Sequence, residues 1–250
     1  MKAKKSILIY SFIIIGMLST ILFSCKKDSK TDTTTPTLTY TGTTVTDIDG
    51  NVYHTVTIGS QVWLAENLKT TRFRDGTSLR LMQTDTTPAY YYYDNLPSNI
   101  ATYGLLYNWY AATSPHGLAP AGYHIPTDGD WQTLVTSLGG AWDNGGGYTD
   151  TIAGGKLKET GVAHWGVGSL PNSNVGATNS SGFTGLPGGE LYQGVYTDIR
   201  TYGVWWSSTN LSGPNTLMEA YNFYLFYADK TCTRGLTFKD SGCSLRCLKD

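Results

Sequence analysis

Apolar residues along this chain fall into short runs punctuated by glycine, asparagine and aspartate, with one clear helical period in the middle. Residues 45–48 and 52–58 flank Asp49-Gly50, a pair favoured in type I′ turns, and predict a hairpin. Gly59-Ser60 then turns into a further run over 61–68. Tyr123 and Ile125 share one face of a short strand, which Pro126 stops by holding its predecessor extended. Thr127 follows as a helix cap, with Asp130 three residues on as a short capping box. Trp131, Leu134, Val135 and Leu138 recur at i, i+3, i+4 and i+7, one apolar helical face, and Gly139-Gly140 ends it. A shorter helix is predicted at 109–112, capped by Asn108 after a strand over 103–107. Runs at 221–227, 236–238 and 244–248 read as antiparallel strands. The fold class expected is therefore α+β: two helices against a small, twisted antiparallel sheet, with long loops on one face.

Two aromatic clusters stand out against this pattern. Trp205 and Trp206 are adjacent on a strand and so point to opposite faces, which predicts one in the core and one on the loop surface. Tyr90, Tyr91, Tyr92 and Tyr93 cannot all point inward from a regular element. Either alternate rings fill the core while the others cover an edge, or some form an exposed contact surface.

The N-terminus changes the picture of where the domain resides. Lys2, Lys4 and Lys5 precede an apolar stretch over 7–23, the form of a secretory signal that is nearly long enough to span a bilayer. It ends in Leu22-Phe23-Ser24-Cys25, which resembles the bacterial lipobox, where the cysteine is lipidated and becomes the new N-terminus. The expected organisation is a signal peptide at 1–24, a lipidated Cys25 with a Thr-rich tether to residue 43, and one domain over 44–250. Two or more acyl chains on Cys25 anchor stably where one does not, so the membrane is the first expected partner. Lys26 and Lys27 stand where an aspartate retains some lipoproteins in the inner membrane, and by that resemblance the outer membrane is the expected address, facing periplasm or cell surface. Loss of the three lysines with the signal takes the formal charge from −1 to −4, which argues against nucleic acid as a partner.

Candidate chemistry is sparse. His54, His116, His124 and His164 stand in no metal-binding spacing, and neither glycine cluster at 143–147 and 154–158 is followed by the residues of a phosphate loop. Asp47-Ile48-Asp49-Gly50-Asn51 looks like the start of a calcium loop, but glycine is missing from the sixth position and glutamate from the twelfth. No metal and no cofactor is implied. Cys243 and Cys247 lie four apart in an expected strand, roughly 13 Å and beyond disulfide reach. A bridge in an oxidising compartment would therefore involve Cys232, with Cys243 the preferred partner and Cys247 left buried and reduced.

Several segments carry a family resemblance. Gly122-Tyr123-His124-Ile125-Pro126-Thr127 through Asp130-Trp131 resembles the G-[WY]-H-[LI]-P-[ST]-x-x-[DE]-W signature of the Fibrobacter succinogenes major paralogous domain. The run from Gly59 through Gln61, Trp63, Asn67 and Leu68, the Gly154-Gly155-Lys156-Leu157-Lys158 segment, the stretch over 179–189, Trp205-Trp206-Ser207-Ser208-Thr209 and the closing Ser244-Leu245-Arg246-Cys247-Leu248-Lys249-Asp250 are similar to further segments of that family. The resemblance implies that Trp63, Leu68, Phe183 and Leu186 are core, that Asn67 fixes a loop, and that Cys247 is structural. The signature is more distantly similar to formylglycine-generating-enzyme-like domains, which implies a variant C-type-lectin-like fold closed by a terminal strand beside the opening hairpin. The cysteine-dependent oxidase activity does not carry over, since Cys247 falls in the closing strand where the family places a structural cysteine and the helix signature alone transfers no active site. Calcium-dependent sugar binding does not either, since its E-P-N, Q-P-D and W-N-D motifs are absent. The expected function is a lipid-anchored envelope module that binds a polysaccharide or a surface protein without catalysis. The alternatives are a structural surface protein, and an enzyme on the formylglycine-generating-like scaffold with Cys243 or Cys247 reactive in a cleft. The candidate ligand contacts are Tyr91, Tyr93, Trp165, Tyr192 and Trp205, because aromatic faces stack on sugar rings.

Overall fold

The computed structural model describes residues 42–82, 86–142, 149–166, 173–211 and 218–250. Residues 1–24, Cys25 and nearly all of the tether lie outside the described residues, as does the glycine run at 145–147. The chain opens with β1 (Thr44–Thr46), β2 (Val52–Ile58), β3 (Gln61–Leu64), β4 (Arg80–Leu81) and β5 (Ala89–Tyr91). The middle holds α1 (Ser98–Tyr103), β6 (Leu106–Tyr107), α2 (Trp109–Ala112), β7 (Tyr123–His124), α3 (Asp128–Ser137), β8 (Thr149–Asp150) and α4 (Ala153–Leu157). It closes with β9 (Gly188–Tyr192), β10 (Val195–Ile199), β11 (Tyr202–Trp206), β12 (Glu219–Phe226), β13 (Cys232–Phe238), β14 (Cys243–Ser244) and β15 (Leu248–Lys249).

The α+β expectation holds, with more sheet than foreseen. One sheet runs β1-β2-β3-β15-β7, and a second runs β4-β5-β6-β14-β11-β12-β13-β8 with the β9–β10 hairpin attached to β11. The second sheet is mixed, because β11 lies parallel to both β14 and β9. Four α-helices stand among the described residues instead of two. α4 replaces an expected loop at Gly154-Gly155: both glycines are buried, and a Cβ on either would collide with backbone, at Thr231 for one and Gly176 for the other.

Local signals account for the elements read best. The side chain of Thr127 accepts from the Asp130 N–H while the Asp130 carboxylate accepts from the Thr127 N–H, a complete capping box at the start of α3. Gly139 takes φ of 81°, its N–H donates to Thr136 and that of Gly140 to Val135, the pair of bonds of a Schellman ending. The β1–β2 turn departs from type I′. Gly50 has positive φ but Asp49 does not, and the bonds Gly50 N–H to Asp47 C=O and Asp47 N–H to Asn51 C=O make a type I turn with a left-handed glycine after it. The acids that imitate a calcium loop serve protein donors. The Asp47 carboxylate accepts from the N–H groups of Asp49 and Asn51 and from the Tyr53 hydroxyl, and that of Asp49 from Thr70, Thr71 and Arg72.

The core is built on both faces of β11. Trp206 packs with Leu105, Tyr107, Leu118, Cys243 and Leu245 on one side, and Trp205 with Trp63, Trp131, Phe183 and Phe223 on the other. The helix α3 delivers Trp131, Leu134 and Val135 to the second cluster, where Trp131 stacks on Phe223 at 4.4 Å between ring centroids. The two tryptophans do face opposite ways, yet both are fully buried, because each face of this sheet is covered. The strand β15 pairs with β3 at Leu248–Trp63 and with β7 at Leu248–His124, so it lies one strand from the opening hairpin.

Two buried polar groups knit this core. Asn67 donates to the Tyr103 carbonyl at 2.8 Å, and its Oδ1 accepts from Trp205 Nε1 at 2.8 Å and Arg246 Nη2 at 2.8 Å. The Arg246 guanidinium also donates to the Phe183 carbonyl and lies 4.1 Å over the Phe183 ring. Asn67 therefore fixes far more than a loop.

Candidate functional site

Four of the five aromatic candidates belong to the core. Trp165 and Trp205 are 0% exposed, with their indole N–H groups donating to the Gly185 carbonyl and to Asn67. Tyr91 and Tyr93 are buried with Ala89, Leu106 and Leu191, while Tyr90 and Tyr92 turn the other way and half-bury against the cluster around Trp206. The alternating reading of the tyrosine run is thus the one realised, and these four rings offer no face to a ligand in this structure. Tyr192 differs: it is 39% exposed.

The cysteine expectation also changes. Cys232, Cys243 and Cys247 are all buried and unbonded. β13 and β14 are separated by β11 and β12, which puts Cys232 and Cys243 roughly 14 Å apart across the sheet. That distance is too long for the expected bridge. Burial pushes all three thiols up, so none is a ready nucleophile.

Tyr192 instead marks the edge of a cleft of about 330 Å³ on the second sheet. A two-residue turn at Gln193-Gly194, both with positive φ, folds β9 against β10 in type I′ geometry. Alternation along β9 then places Glu190 and Tyr192 on one face and Leu191 in the core. β10 contributes Asp198, which holds φ of 68° within a strand. β11 supplies Tyr202 and Val204, β12 supplies Asn222 and Tyr224, and β13 supplies Gly235, Leu236 and Thr237. Tyr202 and Tyr224 meet edge to face at 5.8 Å.

The chemistry of the cleft is acidic and aromatic. Burial, and then the charge of Asp198, push the Glu190 carboxyl up to about 7. From behind, the Cys243 thiol approaches Glu190 at 4.0 Å. Asn222 is 6% exposed and its Oδ1 has no hydrogen-bond partner, a costly state for a buried acceptor. Gly235, opposite Asn222 in the register, lets its neighbours pack close: a Cβ there would stand 2.5 Å from that oxygen and 3.0 Å from the Tyr224 ring. Reading the sequence missed Glu190, Asp198, Asn222 and Gly235. The signal that was present is the alternation around Gln193-Gly194, a hairpin signature.

The histidines are engaged elsewhere. His124 pairs with Asp250 at 2.8 Å and Asp130 at 3.3 Å beside a recess of about 240 Å³, where Arg74 is committed to the carbonyls of Ala119, Pro120 and Tyr123. His164 pairs with Glu159 at 2.9 Å.

Fold and cleft together define a sheet-dominated α+β protein that carries, among the described residues, a ligand-sized aromatic and acidic site on its second sheet. The chain belongs to the Fibrobacter succinogenes major domain family, whose model matches residues 56–249. No curated protein and no solved structure matches it.

Proposed function

We propose that this protein is a lipid-anchored module of the outer membrane that binds a glycan in the β9–β13 cleft and performs no catalysis. The observation that carries the reading is the cleft itself, where an exposed Tyr192 stands beside two carboxylates and an unpartnered Asn222 oxygen. Aromatic faces stack on the apolar faces of sugar rings, and carboxylate and amide oxygens accept from their hydroxyls. Anchoring through Cys25 rests on the lipobox-like Leu22-Phe23-Ser24-Cys25. We read the architecture as a variant C-type-lectin-like fold, for which the pairing of β15 beside the opening strands is the support. A purely structural role gives no reason for the unmet Asn222 acceptor. An enzyme of the formylglycine-generating kind needs a reactive thiol in a cleft, and the burial of Cys243 and Cys247 weighs against it.

The test is binding of a broad panel of soluble polysaccharides by the full-length protein in detergent micelles, with calcium and with chelator. The reading expects a hit that Tyr192→Ala removes. A folded protein that binds nothing, or a hit indifferent to Tyr192→Ala, overturns it. Anchoring is tested by metabolic labelling with a fatty-acid analogue, which Cys25→Ala should abolish; persistent labelling would move the anchor elsewhere.

A further inference from the structure

We propose that the glycan taken by this cleft carries a free amine, and that the protonated amine docks between Glu190 and Asp198 against the tyrosine rings. The inference deepens the binding-module reading and rests on it. Two carboxylates line the cleft, and no lysine, arginine or histidine does. Asn222 adds a third acceptor without a partner, 6% exposed in the same wall. Tyr192, Tyr202 and Tyr224 line the same space, with one face of Tyr192 stacked on Phe238 and one of Tyr202 on Phe226, and an uncovered ring face attracts cations. Every strong feature of the site is therefore electron-rich, and an ammonium group has three donors and a charge to match it.

Alternative glycans fit the site less well. A neutral sugar leaves two neighbouring acids uncompensated, and a uronic acid or sulfated sugar adds a third negative charge. The groups facing Glu190 reinforce this: Asp198 from β10, Cys243 from β14, Tyr202 from β11, Tyr224 from β12 and Tyr192 on its own strand include no cation. Burial first, and then repulsion by the Asp198 charge, raises the Glu190 carboxyl. An incoming cation relieves it and draws Glu190 to its ionised form.

The experiment is calorimetry on the full-length protein in micelles at pH 7, with a glucosamine tetramer, its fully N-acetylated counterpart and a lysine-rich peptide, each with calcium and with chelator. The glucosamine tetramer should bind about tenfold tighter than the acetylated one, and chelator should change nothing. Asp198→Asn, which tolerates the left-handed backbone, should weaken binding roughly three- to tenfold. Glu190→Gln should do the same; because the sugar amines also lose protons as pH nears 7 in both proteins, Glu190 is read from the difference between them, and native affinity should gain on that of the variant from pH 5.5 to 7 as Glu190 ionises. Equal affinity for the acetylated tetramer, lost in Tyr192→Ala, overturns the amine and leaves the glycan module standing. Tighter binding of the peptide, or dependence on calcium, overturns the amino-sugar assignment. Binding of none of the three by folded protein overturns the inference, and the polysaccharide panel then decides the module reading.

Discussion

Replacing Asn67 by alanine probes the polar knot between the two cores. The change removes the acceptor of Trp205 Nε1 at 2.8 Å and of Arg246 Nη2 at 2.8 Å, along with the bond to the Tyr103 carbonyl. Asn67 is 4% exposed, Trp205 0% and Arg246 1%, so water does not replace what is lost. A buried neutral donor left unpaired costs about 1–3 kcal/mol, and stripping a partner from a buried charge costs about 3–5 kcal/mol. The Phe183 carbonyl still holds the guanidinium, which places the expected total near the lower figure, about 3–5 kcal/mol. At roughly 2–4 °C per kcal/mol for a domain of this size, the melting temperature should fall by about 6–20 °C. Urea unfolding followed by tryptophan fluorescence measures it, with Arg246→Met alone and with Asn67→Ala as a double-mutant cycle. Removing both partners should cost less than the sum of the singles by about 2 kcal/mol. An Asn67→Ala loss below 1 kcal/mol, or strict additivity in the cycle, would refute the reasoning.

Two further outcomes follow from burial. All three described cysteines should resist a thiol reagent in the native protein and react together on unfolding, read by mass spectrometry; modification of Cys243 or Cys247 alone under native conditions would contradict their seclusion. Glu190, raised from 4.5 to about 7, binds more protons folded than unfolded in that interval, so its contribution is full below pH 4.5 and lost as pH rises through about 7. Native protein should lose on the order of 3 kcal/mol relative to Glu190→Gln between pH 4.5 and 8 in urea titrations, and parallel profiles would reject the assignment.

The elements legible in the sequence were those whose causes are local. α3 was readable from Thr127 to Gly140 because its cap, its apolar period and its glycine ending lie within fourteen residues. Trp63, Leu68 and Phe183 proved core, as the resemblance implied. Trp205 was misplaced on the surface because alternation shows which residues oppose each other, never whether the second face is covered, and Trp165, chosen as a ligand contact for its aromatic ring alone, lies in the core. The Cys232–Cys243 pairing failed for a related reason: the intervention of β11 and β12 is a matter of strand order, which spacing does not encode. The cleft escaped notice because the β9–β10 hairpin joins the other three strands through the parallel pairing of β9 with β11, which no local signal encodes, and no pair of its key residues forms a recognisable motif.

The pairing of Leu248 with Trp63 spans 185 positions, and the same short strand also holds Tyr123 and His124. Its two residues serve as a keystone whose neighbours are synthesised long before it. Until residue 248 has been made, β3 and β7 lack the strand that lies between them, and the first sheet is two separate pieces. Vectorial production of this chain therefore delivers an unlocked intermediate for most of its duration, and closure of the first sheet arrives late and at once. Loop-closure entropy over so long a span makes that final step slow.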